Sequence, residues 1–310
     1  LPWVLAAVIF TYKTAMGLYG KTDTSNAKDS SAGVTWKRWL PQTLLGAALF
    51  GMALNFQIKA NHIQISYYLA IIIFCYVAGL FIWIAADRER RHGIGRFFAA
   101  SFLLLFLGII GIGANANKLI PMYCYSHQTM RGGSELTAEG KGNAEKSKGL
   151  DIEYATSWSY GWQELPNLMI PDFNGGSSAG AVNPSKSETI KLLKKYGQTN
   201  TRDVAKTLPL YWGPQPFTAG PMYMGAITVF LFILGLLMCD GKDKWWILAA
   251  TVIAVFLGVG SHFMPFTRFW YEHMPFYSKF RTVSMALIIL QVTLPMLGFI
   301  VLDKILKGGY

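Results

Sequence analysis

The stretch ISYYLAIIIFCYVAGLFIWIAA, residues 65–86, carries no charged side chain across 22 positions. As an α-helix rising ~1.5 Å per residue it is about 33 Å long, enough to cross a hydrocarbon core of about 30 Å. It reads as a transmembrane helix, and the chain repeats the pattern. Further charge-free runs cover residues 39–58, 97–117, 207–239, 245–267 and 283–302, which makes six complete spans. A seventh run, residues 1–12, ends at Lys13. It is only about 18 Å long as a helix, so it reads as a truncated span with more chain upstream of Leu1.

Composition agrees with this reading. Of the 310 residues, 52% are hydrophobic and 15% aromatic, a balance that belongs to membrane proteins. The formal charge of +11 describes topology and not a nucleic-acid surface. Most of the excess falls in four short segments: Lys13, Lys21, Lys28, Lys37 and Arg38; Arg88, Arg90, Arg91 and Arg96; Lys242 and Lys244; Lys304 and Lys307. The positive-inside rule makes these cytoplasmic. Residues 59–64, 115–219 and 262–282 are then together on the outer face. The long loop has 11 basic and 9 acidic residues, too balanced for a nucleic-acid binder. Cys75, Cys124 and Cys239 are unclustered, and only Cys124 lies in the loop, so neither an internal loop disulfide nor a zinc site is expected.

The expected architecture is an all-α polytopic bundle with a roughly hundred-residue extracytoplasmic loop domain of mixed or irregular structure. It divides into spans at 1–114, the loop domain at 115–219 and the remaining spans at 220–310. Within the loop, residues 134–149 are too polar to join a core. Residues 154–173 are the reverse, rich in Trp, Tyr, Leu and Ile, and should pack on a core or on the membrane interface. Ser185 and Glu188 have capping-box spacing, and Gly197 fits the position after a helix end, which predicts an amphipathic helix between them. Close helix packing should use Gly108, Gly111 and Gly113, or Ala249 and Ala250.

Four outer-face clusters have chemical potential. His62 and Gln64, with Ser66, Tyr67 and Tyr68, can hydrogen-bond a phosphate or a sugar hydroxyl; the same residues suit an interfacial belt. Arg131, beside Gly132 and Gly133, suits bidentate binding of phosphate or carboxylate, or a plain solvent-facing arginine. Glu153, Glu164 and Asp172 are interleaved with Trp158, Tyr160 and Trp162, a set able to stack a sugar and deprotonate a hydroxyl, although the spacing matches no specific motif. Arg268, Lys279 and Arg281 lie near Trp270, Tyr271, His273 and Tyr277, where cations commonly meet lipid headgroups.

Several runs resemble the YfhO-like bacterial membrane proteins, especially those of Bacteroidetes-type bacteria. They are Asn61-His62-Ile63-Gln64-Ile65-Ser66-Tyr67-Tyr68, Thr129-Met130-Arg131-Gly132-Gly133, residues 149–161, residues 168–176 and Lys279-Phe280-Arg281. The resemblance covers residues 42–302. It implies a GT-C-like glycosyltransferase architecture in the bacterial cytoplasmic membrane, using a polyprenyl-phosphate-linked sugar to decorate an envelope glycopolymer or lipid on the outer face. It also implies a principal catalytic carboxylate in a first outer loop, upstream of Leu1.

Under that reading Arg131, Arg281 and Lys279 would hold phosphate. His62, Gln64 and Tyr68 would hydrogen-bond substrate, Trp158 and Tyr160 would stack on sugar, and Glu164 and Asp172 would act in acid/base or structural roles. No cofactor is called for; a divalent metal remains open, with no ligand cluster that demands one. Two other classes fit the same outline. A lipid-linked sugar transporter would place ionisable groups at the bilayer midplane, where this chain has almost none. A non-catalytic envelope scaffold would keep its role after alanine replaces Arg131 and His62.

Overall fold

A computed structural model describes residues 1–18, 36–126, 129 and 149–308. The chain is mostly helical, and among these residues there is no strand, only isolated bridges pairing Gly175 with Tyr211 and Gly180 with Leu208. Its principal helices are α1 (Pro2–Ala15), α2 (Trp36–Lys59), α3 (Ile63–Ala85), α4 (Ile94–Gly113), α5 (Ala116–Ser126), α6 (Ile152–Ala155), α7 (Glu188–Lys195), α8 (Thr201–Val204), α9 (Ala226–Met238), α10 (Lys242–Val259), α11 (Met264–His273) and α12 (Leu290–Leu306).

Four helical segments among the described residues are long and apolar enough to cross a membrane: Ile63–Ala85, Arg90–Gly113, Lys242–His273 and Val283–Leu306. By length and composition this is a membrane protein. The other three expected runs, the first of them expected to be short, fall outside this set, each for a visible reason. α1 has 14 residues, and α2 has the length but carries Gln42, Asn55 and Gln57 among its apolar residues. Of the charge-free run 207–239, only the 13 residues of α9 are α-helical. At ~1.5 Å per residue that is about 20 Å. Pro209, Pro214, Pro216 and Pro221 precede α9, and each lacks the backbone N–H a helix needs.

The outer segment expected at 262–282 is itself helical as far as His273. After α10, residues Gly260–Phe263 tighten into a 3-10 turn before α11 resumes. Gly260 sits at φ +53, a conformation that favours glycine. Short 3-10 segments also precede α4, at Arg90–Gly93, and α12, at Val283–Ile289.

The chain forms two compact units, Leu1–Lys146 with Cys239–Ile253, and Ser147–Met238 with Ala254–Tyr310. These boundaries cut across the partition at 114 and 219, because most of the loop shares a unit with the last helices.

In the first unit, glycines let helices approach closely. A Cβ on Gly111 would fall 2.3 Å from the Gly51 carbonyl oxygen, and one on Gly108 would fall 3.0 Å from the Phe50 ring. α2 and α4 therefore touch backbone to backbone, a contact that suits membrane helices, where apolar burial alone gives little drive. Gly113 meets nothing within 4 Å and is not part of this contact. Of the expected alanine pair, Ala250 is buried and Ala249 exposed. Polar side chains pair internally: the Asn115 amide donates to Asn55 Oδ1 at 2.7 Å, and the Tyr12 and Ser101 hydroxyls are 2.7 Å apart. Tyr12 also stacks on Phe97, with ring centroids 5.2 Å apart.

In the second unit, α9 and α12 meet at small residues in the same manner. A Cβ on Gly235 would fall 2.6 Å from Leu297, and one on Gly298 would fall 3.2 Å from Leu231. The amphipathic helix expected after Ser185 is present as α7, with Ile190 fully buried. Its cap differs from the expectation. Ser187 accepts the Ile190 N–H, while Ser185 bonds the side chain of Asn183 in a turn. Gly197 does end the helix, at φ +83, with Gly197 N–H to Lys194 O and Gln198 N–H to Leu193 O forming a Schellman closure.

Gly111→Ala should lower stability by about 1–3 kcal/mol, because its new methyl meets backbone that cannot rotate away. Gly113→Ala should change it by no more than about 0.5 kcal/mol, and in the stabilising direction, since space is open there. Melting of the two purified variants against wild type, in one detergent, measures both.

Candidate functional site

The best-defined polar constellation lies in the second unit, where residues 149–161 are laced to helix ends. Leu150 N–H donates to Ser278 O at 2.9 Å, Tyr160 N–H to Gly258 O at 2.9 Å, Thr282 N–H to Ala155 O at 3.0 Å and Ser284 N–H to Trp158 O at 3.3 Å. The Ser159 hydroxyl donates to Thr156 O at 2.6 Å and accepts the Ser261 N–H at 2.8 Å. Two glycines permit the approach. A Cβ on Gly260 would lie 2.3 Å from Ser159 Oγ, and one on Gly149 would lie 2.6 Å from the Ser278 backbone oxygen. Tyr271 adds a hydroxyl bond to Leu150 O.

This lacing positions the cation Arg281. Its guanidinium is exposed and donates to the Tyr154 hydroxyl at 3.0 Å, across 127 residues of sequence. The following residue, Thr282, is held in the left-handed region at φ +60, which sets how the chain leaves the site. Lys279 is two residues away and half-buried. Trp158 is half-buried as well: its ring meets Phe217 edge-on at 5.1 Å, and its indole N–H donates to Phe217 O at 3.1 Å. Tyr160 is only 2% exposed, so its ring presents no open face for stacking. Its hydroxyl, raised by burial and then by the charge of Glu164, points to Met222 O at 3.5 Å.

Glu164 is fully buried and saturated with donors. It accepts Gly161 N–H at 2.7 Å, Tyr211 O–H at 2.6 Å and the Gln215 amide at 3.3 Å. Burial, and then the bond to Glu164, hold the Tyr211 hydroxyl above the usual tyrosine range, so it stays protonated and donating. Gly213 is required inside this turn, since a Cβ would lie 2.0 Å from the Tyr211 hydroxyl and 2.6 Å from Glu164 Oε1. The carboxylate thus joins the 3-10 segment Trp162–Leu168 to residues 211–215. Asp172 differs entirely: it is exposed, at φ +54, in a turn closed by Gly175 N–H to Asp172 O. Asn167 braces that turn through Asn174, at 2.8 Å.

His62, Gln64 and Tyr68 belong to the first unit. His62 is exposed at the start of α3, and the Gln64 amide donates to the Tyr68 hydroxyl at 3.0 Å. Tyr68 has no exposed surface. Arg131 lies outside the described residues. Among the described residues no group of three His, Cys, Asp or Glu side chains could hold a metal ion.

Sequence reading missed Tyr154 as the partner of Arg281, and Tyr211 and Gln215 as the partners of Glu164. The second pair has a signal: Tyr211-Trp212-Gly213-Pro214-Gln215-Pro216 is turn-forming sequence inside the charge-free run 207–239. Compared with protein-family models, curated proteins and solved structures, the chain matches none.

Glu164→Ala should destabilise the protein by about 3 kcal/mol, because three donors, of which the Gly161 amide is buried, lose their acceptor together. Tyr211→Phe, which removes one of them, should cost about 1 kcal/mol. Denaturation of the two variants, monitored by tryptophan fluorescence, checks the ordering.

Proposed function

We propose that this protein is a membrane glycosyltransferase of GT-C type, using a polyprenyl-phosphate-linked sugar to modify an envelope polymer or lipid. The single observation that carries the reading is the exposed Arg281 guanidinium, braced by Tyr154, in a segment that also holds Lys279 and binds the Trp158 carbonyl through Ser284. A departing lipid phosphate needs cations fixed in advance, and a sugar needs aromatic surface beside them. The resemblance to YfhO-like proteins supports the same reaction class. On this reading the bundle has seven spans, and the loop domain lies on the outer face of the bacterial cytoplasmic membrane. The basic segments, by the positive-inside rule, lie opposite.

Within this proposal Arg281 and Lys279 bind the phosphate, and Trp158 stacks on the sugar. Glu164 is assigned the structural role, because every strong donor around it is already engaged. That saturation also favours a second reading, a non-catalytic envelope scaffold whose loop domain binds a partner.

The test is transfer from a labelled polyprenyl-phosphate sugar in membranes containing the protein, at matched expression. Arg281→Ala should reduce transfer by a factor of roughly a hundred, or about 2.7 kcal/mol of barrier. Transfer by wild type that is indifferent to Arg281→Ala and Lys279→Ala would remove the phosphate assignment. No transfer by wild type from any polyprenyl-linked donor would favour the scaffold.

A further inference from the structure

At the basic end of the first unit, two cations share one indole ring. The Arg90 guanidinium carbon lies 4.1 Å from the Trp83 ring centroid, and the Lys242 ammonium lies 4.0 Å from it. Trp83 belongs to the last turn of α3, Arg90 to the 3-10 turn that follows, and Lys242 begins α10. Lys13, at the end of α1, also acts electrostatically on Lys242, and Arg91 caps the helix end by donating to Ala85 O at 2.9 Å.

Asp87 is committed to Arg90, at 2.6 Å. Asp243 attracts Lys242 but accepts the Trp246 indole N–H at 3.1 Å, and Lys242 forms no ion pair with a described residue. Lys13, Arg90, Arg91 and Lys242 thus gather at this end, with Asp87 and Asp243 among them. The like charges of Arg90 and Lys242 at one ring repel each other, and an anion beside them relieves that repulsion. The ring itself is an indole at the end of a span, the position where tryptophan meets the headgroup layer.

We infer that Arg90 and Lys242, brought together over Trp83, form a binding site for the phosphate of an anionic membrane phospholipid. Lipid is favoured over a soluble phosphate because the site stands at the end of three apolar helices, where acyl chains have surface to cover. Exposed Phe81 and Ile82, in the same turn of α3 as Trp83, provide such surface. The inference rests on the first unit alone and does not depend on the glycosyltransferase reading.

The test measures binding of phosphatidylglycerol to the purified protein in detergent by native mass spectrometry, with phosphatidylcholine and inorganic phosphate as the other probes. Wild type should retain phosphatidylglycerol in preference to phosphatidylcholine, and inorganic phosphate should not displace it at equal concentration. Lys242→Gln combined with Arg90→Gln should weaken retention roughly 30-fold, which is about 1 kcal/mol for each cation removed. Lys244→Gln, whose ammonium is over Trp245 instead, should leave it unchanged. Equal retention by the double variant and wild type, or displacement by inorganic phosphate, would overturn the proposal. If the double variant does not fold, wild type decides by itself: no preference for phosphatidylglycerol over phosphatidylcholine rejects the site.

Discussion

A polar loop beside a bilayer must satisfy its own backbone, because lipid offers no hydrogen bonds. In the second unit this is done by a seam: residues 149–161 exchange backbone hydrogen bonds with Gly258, Ser278, Thr282 and Ser284, and Ser159 adds its hydroxyl to Ser261. Two glycines, Gly149 and Gly260, admit the loop to distances that any side chain would block. The loop is thereby part of the helical unit and not an appendage on it.

The rest of the candidate site follows from that seam. Arg281 would be a free surface cation if residues 278–284 were not tied to the loop; tied, it meets Tyr154. Trp158 is fixed because its backbone carbonyl is held by Ser284 and its indole N–H by Phe217. Glu164 fixes the far end of the same stretch, through Tyr211 and Gln215. A carboxylate that binds three donors is a strong local staple, since each bond to a charged acceptor exceeds a neutral one.

Much of the helical framework was legible as sequence. The run at residues 65–86 has no competitor to a helix, and α3 occupies it. The run at 207–239 looked similar by charge alone, but charge does not report backbone geometry, and its prolines and glycines leave only α9 helical. Gly108, Gly111 and Gly113 looked equivalent in composition; which of them touches α2 depends on the direction each faces, and Gly113 faces away. At α7 two serines competed for one cap, and Ser187 won by standing one residue before the helix, while Asn183 engaged Ser185. The candidate site was legible only as an inventory of residue types. Its pairings, Arg281 with Tyr154 and Glu164 with Tyr211, join residues 127 and 47 positions apart, and no local pattern encodes them.

The seam is tested most directly by amide hydrogen exchange on the purified protein. The amides of Leu150, Tyr160, Ser261, Thr282 and Ser284 should exchange roughly a hundredfold more slowly than those of the short helix α8, because opening them requires the loop to leave the helix ends. Exchange at those five positions as fast as in α8 would show that the loop is not laced to the helices, and the site built on Arg281 would lose its framework.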